Sequence, residues 1–75
     1  MRFRELQTVV LTRDVPEHGL KKGDVGAIVH VYATALEVEF LLGSGRTQAV
    51  VTLDEDALRA AGDEDVLAVR GINAS

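Results

Sequence analysis

The chain has 75 residues, which makes one domain at most and a small one, since domains more often run to ~100–150 residues. With 47% hydrophobic and 27% charged residues it is an ordinary globular chain, which excludes intrinsic disorder as its resting state. Eight Lys and Arg against twelve Asp and Glu leave a net charge of −4, which disfavours nucleic-acid binding based on phosphate neutralisation. With no cysteine, disulfides and thiolate metal sites are excluded as well. A chain this short buries only about 60% of its unfolded surface, so a partner subunit would help it. No apolar run approaches the ~20 residues of a membrane helix, and no membrane association is expected. The start Met1-Arg2-Phe3-Arg4-Glu5 is basic but no apolar run follows it. That is not a secretory signal, and a cytoplasmic location is the expectation. Phe3 is suited to anchoring the N-terminus.

The pattern is β almost throughout. Gln7–Thr12 is rich in β-branched residues and predicts a first strand. It stops at Arg13-Asp14-Val15-Pro16, where proline fixes its own φ and pushes Val15 toward extended geometry. The loop from Pro16 to Gly26 contains Gly19, Gly23 and Gly26, and Lys22-Gly23-Asp24 reads as a tight turn. Gly23 or Gly26 is expected at positive φ there. Val25–Tyr32 is the second strand, with Val25, Ala27, Val29 and Val31 on one face and Gly26, Ile28, His30 and Tyr32 on the other.

Leu36–Leu42 is the clearest strand: Leu36, Val38, Phe40 and Leu42 face one way, Glu37, Glu39 and Leu41 the other. Gly43-Ser44-Gly45 makes a hairpin turn, and Arg46–Leu53 returns with Ala49, Val51 and Leu53 inward. Asp54-Glu55-Asp56 then places acids in the first turn of a short helical or 3₁₀ segment, ended by Gly62. Val66–Arg70 is the expected fifth strand, and residues 71–75 a tail. The predicted core is Val9, Leu11, Val25, Val29, Val31, Val38, Phe40, Val51 and Leu53.

This order of elements predicts an all-β fold, a small five-stranded SH3-like barrel with one short helical turn before its last strand. One such domain spans residues 1–75, with an ordered core over about 5–70. The last strand is expected to return beside the first and close the sheet.

The run Val9–Leu20, which contains Leu11-Thr12-Arg13-Asp14 and Pro16-Glu17-His18-Gly19, leads directly into Lys21–Tyr32 with its Gly23-Asp24-Val25-Gly26. Glu37-Val38-Glu39-Phe40, Gly45-Arg46-Thr47 and Val50-Val51-Thr52-Leu53 follow. Together these segments resemble a bacterial family of small proteins, domain-of-unknown-function family 4926, over roughly residues 5–70. The resemblance implies an SH3-like barrel and no established activity, so it carries no catalytic residue across. Gly23, Asp24, Gly26 and Val29 also bear a weaker resemblance to the KOW-type turn and the nitrile hydratase β-subunit barrel, for reasons of turn geometry alone.

The chemistry on offer is sparse. His18 and His30 lie in separate segments and lack further ligands, so no metal site is expected. Glu37 and Glu39, about 7 Å apart along a strand, read as its solvated face rather than an acid–base pair. Ser44 and Ser75 show no triad order. Asp54, Glu55, Asp56, Asp63, Glu64 and Asp65 lack the spacing of a calcium loop. Phe3, Tyr32 and Phe40 are too few for a polyproline groove, a methyl-lysine cage or a stacked RNA surface. Residues 31–75 carry three basic against eight acidic side chains, and this end suits a basic partner.

The expectation is a non-catalytic binding module without cofactor, working through protein–protein contacts, in the manner of an antitoxin or an accessory subunit. Adjacent apolar pairs leave Val10, Leu41 and Val50 off the core face, turned to water, the terminal segments or another chain: they are either simple strand formers or a patch for a partner or for a homodimer. Arg13, His18, Lys21 and Lys22 complete the expected contact set. The alternative is a nucleic-acid-associated module using the Arg13–Lys22 loop.

Overall fold

The computed structural model describes residues 2–72. Strands β1 (Thr8–Leu11), β2 (Val25–Val31), β3 (Leu36–Leu41), β4 (Thr47–Leu53) and β5 (Leu58–Ala60) form one antiparallel sheet. Two 3₁₀ turns, Pro16–His18 and Glu55–Ala57, interrupt them. The short helical turn before the last strand is therefore present. It ends at Ala57 rather than at Gly62, because the chain goes straight into β5.

The sheet order is β4-β3-β2-β1-β5. The last strand does lie beside the first, with Val10 opposite Arg59 and Leu11 opposite Leu58. The expected barrel does not form: β4 and β5 are the two edges and the sheet stays open. The SH3-like description is thereby corrected. The physical reason is where the last strand falls. It is Leu58–Ala60, three residues long, and it is spent on β1. Val66–Arg70, expected as that strand, joins no sheet.

The core lies against one face of the sheet. Val9, Leu11, Ile28, Leu36, Val38, Phe40, Val51, Leu53 and Leu58 supply it from the strands. The β1–β2 loop folds over them. Val15 and Leu20 bridge each other through reciprocal N–H···O=C bonds of 2.9 and 3.1 Å, which turns both side chains inward. Phe3 closes another side, as the anchor expected of it.

Of the predicted core, Val9, Leu11, Val38, Phe40, Val51 and Leu53 are buried. Val25 and Val31 are only partly buried and Val29 is exposed. A β-bulge explains this: the register of β2 against β3 shifts between Ile28 and His30, so Val29 is the extra residue. Strict alternation assigns β2 one continuous inner face. In fact Ile28 faces the core, and Val31 packs against it beyond the bulge.

Two glycines act for different reasons. Gly23 takes φ +93 in the turn that closes at Asp24, as expected. Gly26 does not need positive φ. A Cβ there would fall 2.7 Å from Val38 Cγ1 and 2.9 Å from both the Glu39 carbonyl oxygen and Phe40 Cε1. Only a bare Cα lets β2 lie this close to β3.

Gly26→Ala is therefore expected to cost ~1–3 kcal/mol through forced displacement of packed neighbours, and Phe40→Ala ~3–5 kcal/mol. Gly23→Ala, strained in φ but open in space, should cost about 1 kcal/mol. Urea unfolding of the three variants checks the order; Gly26→Ala as stable as the parent would remove the close-approach argument.

Candidate functional site

The sheet has a second face, opposite the core. Directly opposed residues of antiparallel strands point to the same side. Val10 of β1 sits between Arg59 of β5 and Val25 of β2 and shares this outer face with them. Val10 was expected to face water, the terminal segments or another chain. It is only 5% exposed, although it is not part of the core cluster. The chain's own C-terminal segment is tied to residues on either side of it.

That segment runs from Ala61 to Ile72 and is held at two points. Arg59 grips Asp65 with two parallel bonds, Nη1 to Oδ2 at 2.8 Å and Nη2 to Oδ1 at 2.9 Å. Asp65 also accepts the Gly62 N–H at 2.7 Å, closing a tight bend. Arg70 then donates to Asp24 through Nε (2.8 Å to Oδ1) and Nη2 (2.6 Å to Oδ2), and to the Gly19 carbonyl at 3.0 Å. One anchor lies on β5 and the other just before β2, the two strands that flank β1. The segment is a strap between these two points, which is where Val66–Arg70 goes in place of a fifth strand.

Both anchors shift carboxylate chemistry. The Arg59 hydrogen bonds, with the Gly62 N–H, hold the Asp65 carboxyl down from 3.8 to about 2. The Arg70 hydrogen bond lowers Asp24 likewise, against a smaller opposing effect of burial. Both guanidinium groups are raised in turn by the hydrogen bonds they donate.

Beside the second anchor lies an open recess of about 290 Å³. Val25, Phe40 and Leu41 border it from the sheet, Val69, Arg70 and Ile72 from the strap. Its lining is mostly apolar, with Asp24, Gln48 and Arg70 as polar groups. The strap also turns large aliphatics outward: Val66 is 89% exposed, Val69 99%, and Leu67 and Ile72 are exposed too.

The remaining expected contact residues are scattered. Leu41 is 58% and Val50 48% exposed on the outer face. They do not form one patch, because Thr47, opposite Leu41, donates a 2.7 Å hydrogen bond to Glu39, opposite Val50. Arg13, His18, Lys21 and Lys22 are all exposed. Their loop is not a basic surface: Arg13, Lys21 and Lys22 are matched there by Asp14, Glu17 and Asp24, and Asp14 and Asp24 also accept the backbone N–H groups of Lys22 and Lys21 at 2.8 and 2.9 Å.

Glu37 stands opposite His30 on the outer face. His30 stacks edge-on with Tyr32, ring centroids 4.4 Å apart, and its Nδ1 is 3.8 Å from Glu5 Oε1. Among the described residues no three His, Asp or Glu side chains stand close enough to hold a metal ion. No helix among them is long and apolar enough to cross a membrane. The strap and its anchors are absent from the sequence reading, since Arg59 and Arg70 find their partners by folding. The acidic bend Asp63-Glu64-Asp65 after Gly62 was the one visible sign of a reversal there.

Residues 5–60 match the family model described as Domain of unknown function (DUF4926), well over half of the 75 residues, and the chain belongs to that family. No curated protein and no solved structure matches it. The strap, residues 61–72, follows the matched stretch.

The strap should be releasable. Asp65 has a folded pKa near 2 against 3.8 unfolded, so its contact contributes above about pH 4 and is lost as pH falls toward 2. The lowered Asp24 works in the same direction. Methyl NMR signals of Val10 and Val25 should move over that range ahead of core signals such as Ile28. At neutral pH a Cys placed at Val10, in a chain with no other thiol, should react slowly with a thiol reagent and much faster when Arg70→Ala is added. Equal rates would show that the strap does not cover Val10.

Proposed function

We propose that this family member is a non-catalytic protein-binding module that meets its partner through the apolar side chains held outward by the strap. The observation that carries the reading is the exposure of Val66, Leu67, Val69 and Ile72 within one anchored segment. Single exposed aliphatics are common on soluble proteins. Four among seven consecutive residues is a dense cluster, and Val69 and Ile72 share the recess with Leu41, which is the kind of apolar surface that contacts cover. The two ion pairs fix the backbone that carries them, so less ordering entropy is lost on docking.

The surroundings favour a partner with a basic rim. Asp63 and Glu64 sit exposed at the bend, within a C-terminal stretch where acids outnumber bases by eight to three. A small acidic domain that covers an apolar patch on a larger protein suits an accessory subunit or an antitoxin. Glu37 and Glu39 fit a solvated strand face rather than an acid–base pair, since Glu39 is engaged by Thr47 and both stand on an open face. No comparable observation favours nucleic acid, because the loop of Arg13, Lys21 and Lys22 has its basic charge interleaved with Asp14, Glu17 and Asp24.

A photo-crosslinking side chain at Val69, used in growing cells, should yield a covalent adduct to another polypeptide that survives nuclease. The same group at Thr34, exposed at the β2–β3 turn, should yield none. A nuclease-sensitive adduct, or none at Val69, would overturn the reading.

A further inference from the structure

The open sheet leaves β4 as an edge of seven residues, Thr47–Leu53. Proteins normally block such edges with charge, proline or distortion. This strand contains no charged residue and no proline. One bulge sits at its start, where the register to β3 shifts between Phe40 and Leu41 and Gln48 becomes the extra residue. The stretch from Ala49 to Leu53 is regular, rich in β-branched residues, and carries Val50, half exposed, at the outer face.

The charges lie just beyond the two ends. Arg46 precedes β4, its carbonyl accepting the Leu42 N–H at 2.8 Å so that it continues the line of the strand. Asp54 follows with extended backbone, φ −71 and ψ 153, and then Glu55 and Asp56. Among the described residues, Arg46, Asp54 and Asp56 take part in no salt bridge, and Asp54 makes no capping hydrogen bond. The edge thus has one positive end, one negative end and an uncharged middle.

From this arrangement we infer that β4 pairs antiparallel with β4 of a second copy, about a twofold axis at Val50. This rests on the reading that the domain works through protein contacts, and names one partner of one edge. Antiparallel pairing brings the Arg46 end of each strand to the Asp54 end of the other, forming the same ion pair twice. Parallel pairing would set like charges together. With Val50 on the axis, Ala49 lies opposite Val51, so core-side residues meet core-side residues and the two Val50 side chains cover each other on the outer face. The bulge at Gln48 adds a residue before Arg46, which brings its long side chain to Asp54 at a slant. The ladder is short, so the dimer forms at high concentration and dissociates on dilution.

Sedimentation equilibrium over a wide concentration range tests this on the full chain. The parent should show a monomer–dimer equilibrium. Val50→Lys, which sets two ammonium groups on the axis, should remain monomeric. Arg46→Glu alone and Asp54→Arg alone should each weaken the dimer by roughly tenfold or more. Mixed one to one, these two variants should associate again, because each strand end then meets an opposite charge. The variants change exposed side chains, and recovery in the mixture shows that both are folded. A parent that stays monomeric throughout, or a mixture no tighter than either variant, overturns the pairing. A monomeric parent that still gives the Val69 adduct loses the second copy and keeps the protein-binding reading; a dimer without that adduct does the reverse.

Discussion

A sheet has two faces, and a chain of 75 residues has little with which to cover either. That constraint organises the molecule. One face is covered by the β1–β2 loop, folded inward by the Val15–Leu20 bridge, together with Phe3 and Ala57. The other is left largely open over β3 and β4, with a single extended strap anchored at β5 and just before β2. The inner cover works by burial: its residues are apolar and almost fully withdrawn from water. The strap is held by charge: Arg59 of β5 binds Asp65 of the strap and Arg70 of the strap binds Asp24, and the aliphatics between them largely face away. Burial stabilises in proportion to area and is hard to undo piecemeal. Partly exposed ion pairs contribute less, depend on pH and salt, and can be released without dismantling the sheet. The two faces therefore differ in permanence, and the proposed contact surface belongs to the less permanent one.

Much of the sheet was legible from the chain. β3 and β4 show clean alternation, and their inner residues Val38, Phe40, Val51 and Leu53 are where period two puts them. The long glycine-containing loop and the 3₁₀ turn after Asp54 were legible from turn chemistry. Reading failed where a local irregularity changes parity. At Val29 one extra residue moves the inner face from one set of side chains to the other, and no composition signal marks it. Ile28, fully buried, lies before the bulge on the face that Val31 takes up after it, and strict alternation cannot place both inside.

The fifth strand failed differently. Val66-Leu67-Ala68-Val69 has the composition of a strand, and Leu58-Arg59-Ala60 reads as the continuation of a helical turn. The chain delivers Leu58–Ala60, not Val66–Arg70, to the side of β1. β5 follows its 3₁₀ turn directly, and Thr12 holds that turn close through a 2.8 Å hydrogen bond to the Asp56 carbonyl. Leu41 and Val50 face away from the core and are exposed, while Val10, also outside the core cluster, is nearly closed to water. The anchors that flank it are Arg59–Asp65 and Arg70–Asp24, and the second of these spans 46 positions. No local pattern encodes a pair so far apart.

Arg59 has two duties. Its backbone belongs to β5, the shortest strand, and its guanidinium holds Asp65. Pulling the strap outward therefore loads β5 sideways, against a ladder only three residues long with a partner on one side. Under tension the sheet would peel from this margin inward, shedding β5 before β1, while β2, β3 and β4 stay laced together by their longer ladders. The margin of β1 facing β5 would then be laid bare, with its amide and carbonyl groups free. Once Arg70 has let go of Asp24, a tug on the C-terminal segment would thus remove one strand and leave β1 as the sheet's edge, on the side opposite β4.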